Sequence, residues 1–189
     1  MNDEAQPQVF PDRGYSFCNC KNIWFTDWKN IDPWYEHQNE SVEVFQHYLK
    51  KGFIKNQGYK KNHISVVGNA PKTKSEAKRL GFEVEDRESF NLIWSYHMLE
   101  HERYPLTMLQ AYYDLLSEDG ILFVAMPDPF FIDFEDIYEW GNWLLRENYI
   151  MWDMDSFCDE AEAIGFKVEQ KIRNTDVKIC RDQHLIFRK

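Results

Sequence analysis

Two continuous apolar runs on either side of a helical stretch constrain this chain most. The runs are FNLIWSY at residues 90–96 and ILFVAMP at residues 121–127. A run that is apolar throughout, rather than at alternate positions, is typical of a strand that helices cover on both faces. Residues 105–120 carry apolar side chains at helical spacing, with Pro105 at the start and Gly120 past the end. A strand, a helix and a strand in this order predict an α/β unit.

The same alternation continues before and after this unit. It predicts a helix at 41–53, a strand at 63–68, a helix at 73–81, a strand at 82–85, a helix at 153–166, and strands at 167–173 and 182–189. Ser41 and Asp155 are the expected caps of the first and last of these helices, and Gly81 and Gly165 are expected to end the second and third. Because no helix separates the last two strands, we expect them to pair antiparallel.

Length and composition fit one domain with an N-terminal extension. The chain has 189 residues, of which 43% are hydrophobic, so it can bury a sizeable core. Its net charge of -10 disfavours nucleic acid and anionic membranes as partners. The start MNDEAQPQ lacks the pattern of a secretory signal, and no apolar run reaches the roughly 20 residues of a membrane span. We expect a cytoplasmic protein, with an extension and packing helix at 1–60 and a core domain at 61–189.

Two groups of metal-type ligands occur, and neither predicts a metal site. His97, Glu100 and His101 have the H-x-x-E-H spacing of one class of zinc peptidase. That site needs both histidines on one face of a helix, whereas a predicted strand runs straight into them. Cys18 and Cys20 form a C-x-C pair with no second pair nearby, so free thiols are the simpler interpretation.

Further motifs follow one another in a fixed order through the second half of the chain. They are Leu99–His101 as an LEH triplet, Pro105 at a helix start, LLSEDG at 115–120, and Pro127 with Asp128 at a strand end. This order resembles the class I S-adenosylmethionine-dependent methyltransferases, although Asn91 stands where that family usually has Asp. The last helix, its Gly-Phe turn and the terminal strand extend the resemblance to roughly residues 64–189.

The front half departs from that family at its cofactor loop. The family's first strand is followed by a glycine-rich turn, because glycines let the backbone approach the cofactor closely. The corresponding stretch, VVGNAPKTK, keeps Gly68 but has Asn69, Ala70 and Pro71 where further glycines are expected. The interval from Gly68 to Asn91 is also too short for the two further helices and the strand that the family places there.

Two alignments are open for the strand at 63–68. It is either the family's first strand, with the third missing, or the second, with the first lost. The former is favoured because the first strand is central and its loss would leave neighbours without ladder partners, whereas the third lies at an edge. The resemblance then implies a three-layer, Rossmann-like α/β methyltransferase sandwich, shortened by about one βα unit. Its sheet is mostly parallel with an antiparallel last strand, in the order 2-1-4-5-7-6.

The resemblance also implies that S-adenosylmethionine lies at the carboxyl ends of these strands. The residues expected to bind it are Gly68, Asn69, Ala70, Glu85, Asp86, Tyr96 and His97. The two acids would accept bonds from ribose hydroxyls. Simpler roles compete with these, namely an ordinary turn after Gly68, a solvated loop at the acids, and local hydrogen bonding for His97. The candidates for an acceptor pocket, with core or dimer cover as the alternative, are Phe130, Phe131, Trp140 and Trp143.

Methyl transfer to a small-molecule acceptor is the expected function. No catalytic residue is singled out, because the sulfonium already activates the methyl group and the protein mainly orients the acceptor. The alternative is a non-catalytic binding or assembly module that kept the fold and lost the cofactor, which the glycine-poor loop favours. Self-association of the chain is left open.

Overall fold

A five-stranded sheet with helices on both faces forms the centre of the structure. A computed structural model describes residues 9–10, 15–17, 23–25, 38–52, 63–68, 70–84, 88–131, 148–173 and 182–189. The strands are β1 (Val9–Phe10), β2 (Tyr15–Phe17), β3 (Ile23–Phe25), β4 (Ile64–Val66), β5 (Phe90–Tyr96), β6 (Leu116–Pro127), β7 (Ile150–Met151), β8 (Lys167–Arg173) and β9 (Asp182–Arg188). The α-helices are α1 (Gln38–Lys50), α2 (Pro71–Arg79), α3 (Pro105–Leu115) and α4 (Met154–Ile164).

The central sheet has the strand order β4-β5-β6-β9-β8. β4, β5 and β6 run parallel, and β9 is antiparallel to both of its neighbours. This confirms the antiparallel pairing that was predicted for the last two strands. The strand predicted at 82–85 is shorter than expected, because within the described residues it is reduced to a parallel bridge between Glu83 and His63. With that bridge at the edge beside β4, the observed order matches the expected 2-1-4-5-7-6.

Helices cover both faces of the sheet, since strand side chains alternate between the faces. On one face Phe45 of α1 meets Trp94 of β5 edge to face, with ring centroids 5.0 Å apart. On the other face Leu109 of α3 and Phe157 of α4 are completely buried. Residues 122–127 of β6 are all buried, as expected for a strand covered twice. None of the helices described is long and apolar enough to span a membrane.

The start of α1 differs from the prediction because Ser41 has a tertiary role. The helix begins at Gln38, so Ser41 lies inside its first turn and is not the cap. Its Oγ accepts hydrogen bonds from Trp94 Nε1 at 3.0 Å and from Thr73 Oγ1 at 2.9 Å. The hydroxyl therefore joins α1 to both β5 and α2, in a buried position.

Two other boundaries also differ from the prediction. α3 ends before Leu116 and not near Gly120, because Leu116 has an extended ψ of 137° and pairs with Phe90 of β5. The cap of α4 is Asp153 and not Asp155, since the carboxylate of Asp153 accepts a backbone N–H three residues further on, at 3.1 Å. In both places a residue earlier in the chain than expected ends or begins the helix.

A smaller sheet joins the N-terminal segment to the core. β1, β2, β3 and β7 pair antiparallel in that order. Just before β7, the Tyr149 N–H donates to the carbonyl oxygen of Glu100 at 2.6 Å. Ile150 and Met151 of β7 are completely buried. The N-terminal strands are thereby linked, through β7, to the turn that follows β5.

Candidate functional site

The carboxyl ends of the parallel strands bring several predicted site residues to one edge of the sheet. Gly68 follows β4, His97 follows β5, and Asp128 follows β6. The antiparallel β9 begins at the same edge, where Asp182 lies opposite Pro127. Open α/β sheets bind their ligands at this edge. A cofactor or an acceptor is therefore expected to bind at this edge.

Gly68 occupies a turn that only glycine fills without strain. Its φ is 74°, and the residue is exposed. A Cβ at this position would lie 2.7 Å from Met98 Sδ and 2.8 Å from Met98 Cε. The Val67 N–H, one residue earlier, donates to the carbonyl oxygen of Trp94 at 3.0 Å. The turn is thus fixed beside β5, with the Met98 thioether against one side of the glycine.

The next predicted residue, Ala70, is half-buried at the start of α2. It occupies the cap position without a capping hydrogen bond from its side chain, and Pro71 begins the helix. Asn69, the residue before Ala70, lies outside the described residues, as do Glu85 and Asp86 of the expected ribose site.

His97 lies between two buried carboxylates. Its Nδ1 is 3.1 Å from Glu100 Oε1, and its Nε2 is 2.9 Å from Asp182 Oδ2. His97 is 6% exposed, and both carboxylates are 0% exposed. We call His97, Glu100 and Asp182 the buried triad. It connects the end of β5, the turn after it and the start of β9.

The charges in the buried triad stabilise one another. Burial alone lowers the pKa of His97, but the charges of Asp182 and Glu100 outweigh it and hold that pKa well above its ordinary value. Burial raises the pKa of Asp182, but the charge of His97 and the hydrogen bond between the two side chains outweigh it and hold that pKa far below its ordinary value. At neutral pH His97 is therefore an imidazolium between two carboxylates.

A second histidine extends this polar network towards α1. His184 Nε2 lies 3.9 Å from Asp182 Oδ2, and its Nδ1 lies 3.0 Å from the hydroxyl oxygen of Tyr48. Burial raises the pKa of Tyr48 to about 12, so the phenol stays protonated. The network therefore reaches from the turn after β5, through β9, to the helix that the N-terminal segment supplies.

Asp128, Arg173 and Phe130 form a second polar group at the same edge. Asp128 is 1% exposed and accepts bonds from Arg173 Nε at 2.8 Å and from the Phe130 N–H at 3.0 Å. Burial raises the pKa of Asp128, and the two donors offset this in part. The guanidinium carbon of Arg173 lies 4.2 Å from the centroid of the Phe130 ring. Phe130, an expected pocket residue, is itself 67% exposed.

The histidine motif is a connector and not a helical zinc motif. Leu99–His101 forms a short 3-10 turn, so His97 and His101 do not share an α-helical face. Both ring nitrogens of His97 face carboxylates. Within the part of the chain that the structure describes, no three His, Cys, Asp or Glu side chains are arranged to hold a metal ion. Cys18 and Cys20 lie outside that part.

Tyr96 and His97 were expected to bind the cofactor, and both are buried. Tyr96 is 8% exposed, and its ring is parallel to that of Trp94 and 4.8 Å from the imidazole of His97. Phe131 lies in the 3-10 turn after β6 and is half-buried. Trp140 and Trp143, the other candidates for the acceptor pocket, lie outside the described residues.

Sequence reasoning missed Asp182 and His184. Both belong to the stretch DQHLIF, where polar residues interrupt an otherwise apolar strand and are nevertheless buried. Residues two apart in a strand point to the same face, so the pair was readable as a polar group on one face of β9. Only the tertiary fold identifies His97 as its partner.

The fold and the polar groups at this edge of the sheet define a class of protein. A mostly parallel sheet with one antiparallel strand and helices on both faces is a Rossmann-like α/β sandwich of the methyltransferase type. The sequence model of a family described as a methyltransferase domain matches residues 11–171. The chain belongs to this family, whose match includes most of the N-terminal extension. No curated protein matches the sequence.

Several solved structures with a similar fold are methyltransferases. An S-adenosylmethionine-dependent methyltransferase from Archaeoglobus fulgidus has a TM-score of 0.52 at 12% identity, with 78% of this chain and 94% of that chain covered. The 1,6-didemethyltoxoflavin-N1-methyltransferase of Burkholderia thailandensis has a TM-score of 0.50 at 12% identity, with 98% and 99% covered. A Nostoc punctiforme protein assigned as an O-methyltransferase has a TM-score of 0.54 at 11% identity, with 81% and 56% covered. This chain thus spans little more than half of the Nostoc protein.

The cofactor of this class is S-adenosylmethionine, and the turn at Gly68 fits it. The glycine lies at the carboxyl end of β4, where the family's cofactor turn lies, and its left-handed backbone is exposed. Met98 fills the space on one side, so a side chain at position 68 would have to displace it. The backbone there is accessible in the way that a cofactor turn requires.

Proposed function

We propose that this protein transfers a methyl group from S-adenosylmethionine to a small-molecule acceptor. The observation that carries the proposal is the exposed, left-handed turn at Gly68, directly beside the end of β5. Membership of the methyltransferase domain family supports it. The Burkholderia enzyme, which was solved with 1,6-didemethyltoxoflavin and S-adenosylhomocysteine bound, supports a small molecule as the acceptor.

The roles of this chain's residues in the proposal are mainly binding and positioning. Gly68 allows the backbone to approach the cofactor, with Asn69 and Ala70 completing the turn. Tyr96 and His97 shape the neighbouring wall from the end of β5. Glu85 and Asp86 accept bonds from the ribose hydroxyls.

When bound, the cofactor supplies a methyl group that its sulfonium has already activated. The protein then has to orient the acceptor and exclude water. The exposed Phe130 ring and the Arg173 guanidinium lie at the same edge and are candidates to border the acceptor. No side chain among them is required as an acid or base by this proposal.

Calorimetric titration with S-adenosylhomocysteine tests the proposal. We expect micromolar binding to the wild-type protein and a large loss of affinity in Gly68→Val. Gly52→Val is the matched control, because Gly52 has the same φ of 74° but, among the described residues, no neighbouring atom within 4 Å of where its Cβ would lie. Absence of heat and of a thermal shift with the wild-type protein at millimolar ligand would overturn the proposal.

One observation favours a non-catalytic binding or assembly module instead. The Met98 thioether lies against Gly68, and the turn has Asn69, Ala70 and Pro71 in place of further glycines. In this second function the fold is kept and the cofactor site is closed. The same titration separates the two functions, since only the methyltransferase binds S-adenosylhomocysteine.

A further inference from the structure

The turn after β5 touches the cofactor turn through one side chain. Met98 lies directly after His97, and its Sδ and Cε fill the space beside the Gly68 Cα. Anything that moves this turn therefore moves Met98 relative to Gly68. The position of the turn decides how much of the glycine stays accessible.

Contacts from three sides hold this turn in place. Asp182 of β9 binds the His97 ring on one side, and Glu100 of the same turn binds it on the other. The His97 N–H also donates to the carbonyl oxygen of Ala125 in β6, at 2.9 Å. The Tyr149 N–H, next to β7, donates to the Glu100 carbonyl oxygen. The turn is therefore anchored to strands of both sheets.

The backbone of His97 needs this support. Its φ is 51°, in the left-handed region, which costs a non-glycine residue roughly 1 kcal/mol. The charged hydrogen bond to buried Asp182, together with the ion pair to buried Glu100, is strong enough to offset such a cost. Removing one carboxylate would leave the imidazolium only partly compensated in a buried position. The side chain of His97 thus stabilises the backbone conformation that directs Met98 onto Gly68.

We propose that His97 is a positioning residue for cofactor binding: held between Asp182 and Glu100, it fixes the turn that places Met98 on one side of Gly68 and leaves the other side open. This inference rests on the proposed function, because it assigns a role in the same cofactor site. It means that Asp182, which is far from Gly68 in the sequence, influences the turn at Gly68 through His97 and Met98.

The first test compares Asp182→Asn with Tyr48→Phe. Asp182→Asn keeps the side-chain volume and removes the charge facing His97. Tyr48→Phe removes a buried hydroxyl that meets His184 at the α1 end of the network. We expect S-adenosylhomocysteine to bind Asp182→Asn about 10-fold more weakly and Tyr48→Phe within about 2-fold of wild type. Equal loss in both folded variants would overturn the positioning role.

A second readout does not need the cofactor. The methyl carbon of Met98 can be labelled with 13C and its resonance assigned with Met98→Leu. We expect the resonance to move in Asp182→Asn, and in Glu100→Gln if the former fails to fold, but not in Tyr48→Phe. It is also expected to move in the wild-type protein at alkaline pH, as His97 loses its proton. An unchanged resonance in these samples would overturn the proposal.

Four titratable side chains surround His97 and bear on the experiment at alkaline pH. Asp182 and Glu100 face His97 directly, His184 lies 3.9 Å from Asp182, and His101 lies 3.8 Å from Glu100. If the wild-type protein binds no S-adenosylhomocysteine, the proposed function fails and the role in cofactor binding fails with it, whereas the Met98 resonance still decides whether His97 fixes the turn. The two failures are therefore distinguishable.

Discussion

His97 carries a buried positive charge and a left-handed backbone at once. Neither would persist alone, because a buried unpaired charge and a strained φ both cost free energy. Asp182 and Glu100 offset both costs, since the same two contacts neutralise the ring and hold its orientation. At the residue scale, the conformation at this edge of the sheet therefore depends on two ion pairs of His97, one local and one long-range, as well as on glycine.

Stability is expected to fall as the pH rises above the ordinary His97 value of 6.5. Because the pKa is raised, the folded protein keeps a proton on His97 at pH values where the unfolded chain has lost it. The contribution of His97 to the free energy of unfolding is therefore complete below pH 6.5 and is lost as the pH rises through the pKa of the folded state. The slope is at most about 1.4 kcal/mol per pH unit. Denaturant titrations of wild type and His97→Gln across this range measure it.

In His97→Gln the slope just above pH 6.5, where buried Cys158 and Tyr48 do not yet titrate, should become smaller, whereas in His47→Gln, at an exposed position of α1, it should remain. A wild-type stability that is constant from neutral to alkaline pH would contradict the assignment of charge. The Asp182 carboxylate acts in the opposite direction. Its lowered pKa gives stability that is present above its ordinary value of 3.8 and is lost as the pH falls.

Gly68→Ala is expected to destabilise the protein more than Gly52→Ala. Both positions have a φ of 74°, so both variants carry the same strain of roughly 1 kcal/mol. Only position 68 adds a clash with Met98, which overpacking data place at about 1–3 kcal/mol. Denaturant unfolding of the two variants measures the difference. Adding Met98→Ala to Gly68→Ala should restore part of the loss, and failure to do so would show that the clash is not the cause.

At the scale of elements, helix α4 illustrates how local chemistry fixes a boundary. Asp153 caps its start, and Gly165 ends it with a φ of 125°, as the sequence predicted for the glycine. Asp155, the cap that the sequence favoured, is exposed and instead binds Lys171 Nζ of β8 at 2.9 Å. Both acids lie near the helix start, so the sequence alone did not separate a capping role from an ion pair.

Asp153→Ala should therefore cost about 1 kcal/mol of stability, the usual effect of losing a cap. Asp155→Ala is the matched control and should cost less than about half of that, because exposed ion pairs contribute little. Thermal or denaturant unfolding of the two variants provides the comparison. If Asp155→Ala were the more damaging substitution, the assignment of the cap would be wrong.

At the scale of the whole molecule, the N-terminal segment is part of the fold's support. Its helix α1 is joined to β5 and α2 through Ser41, and its strand β3 pairs with β7. The family match from residue 11 agrees with this close association. The division into 1–60 and 61–189 stays a prediction.

Ser41→Ala is expected to destabilise the whole protein by about 1–3 kcal/mol, because it leaves the buried Trp94 N–H without its acceptor. Thr73→Val removes the other donor to Ser41 but keeps the acceptor for Trp94, so its cost should be smaller. Denaturant unfolding with α-helical and tryptophan signals measures both. Equal costs would show that the Trp94 bond is not the important one.

The sequence by itself determined the architecture. The strands at 90–96 and 167–173 have the predicted bounds, and the sheet order and the antiparallel last strands are as expected. The strands and helices follow from periodicity and from glycine and proline, which act over short stretches of chain. The sheet order is what the resemblance to the methyltransferase family implied.

Only the tertiary structure decided how the site is held. Asp182 lies 85 residues from His97, and nothing local to either residue selects the other as its partner. The same holds for Ser41, which the sequence predicted to be a helix cap. Its hydroxyl instead accepts hydrogen bonds from Trp94 and Thr73, which lie far from it in the sequence. The register of β9 against β6 brings such partners together, and register is a property of the assembled sheet. Burial then favours each of these pairings strongly, because a buried charge or hydrogen-bond donor that has neither water nor a protein partner costs free energy.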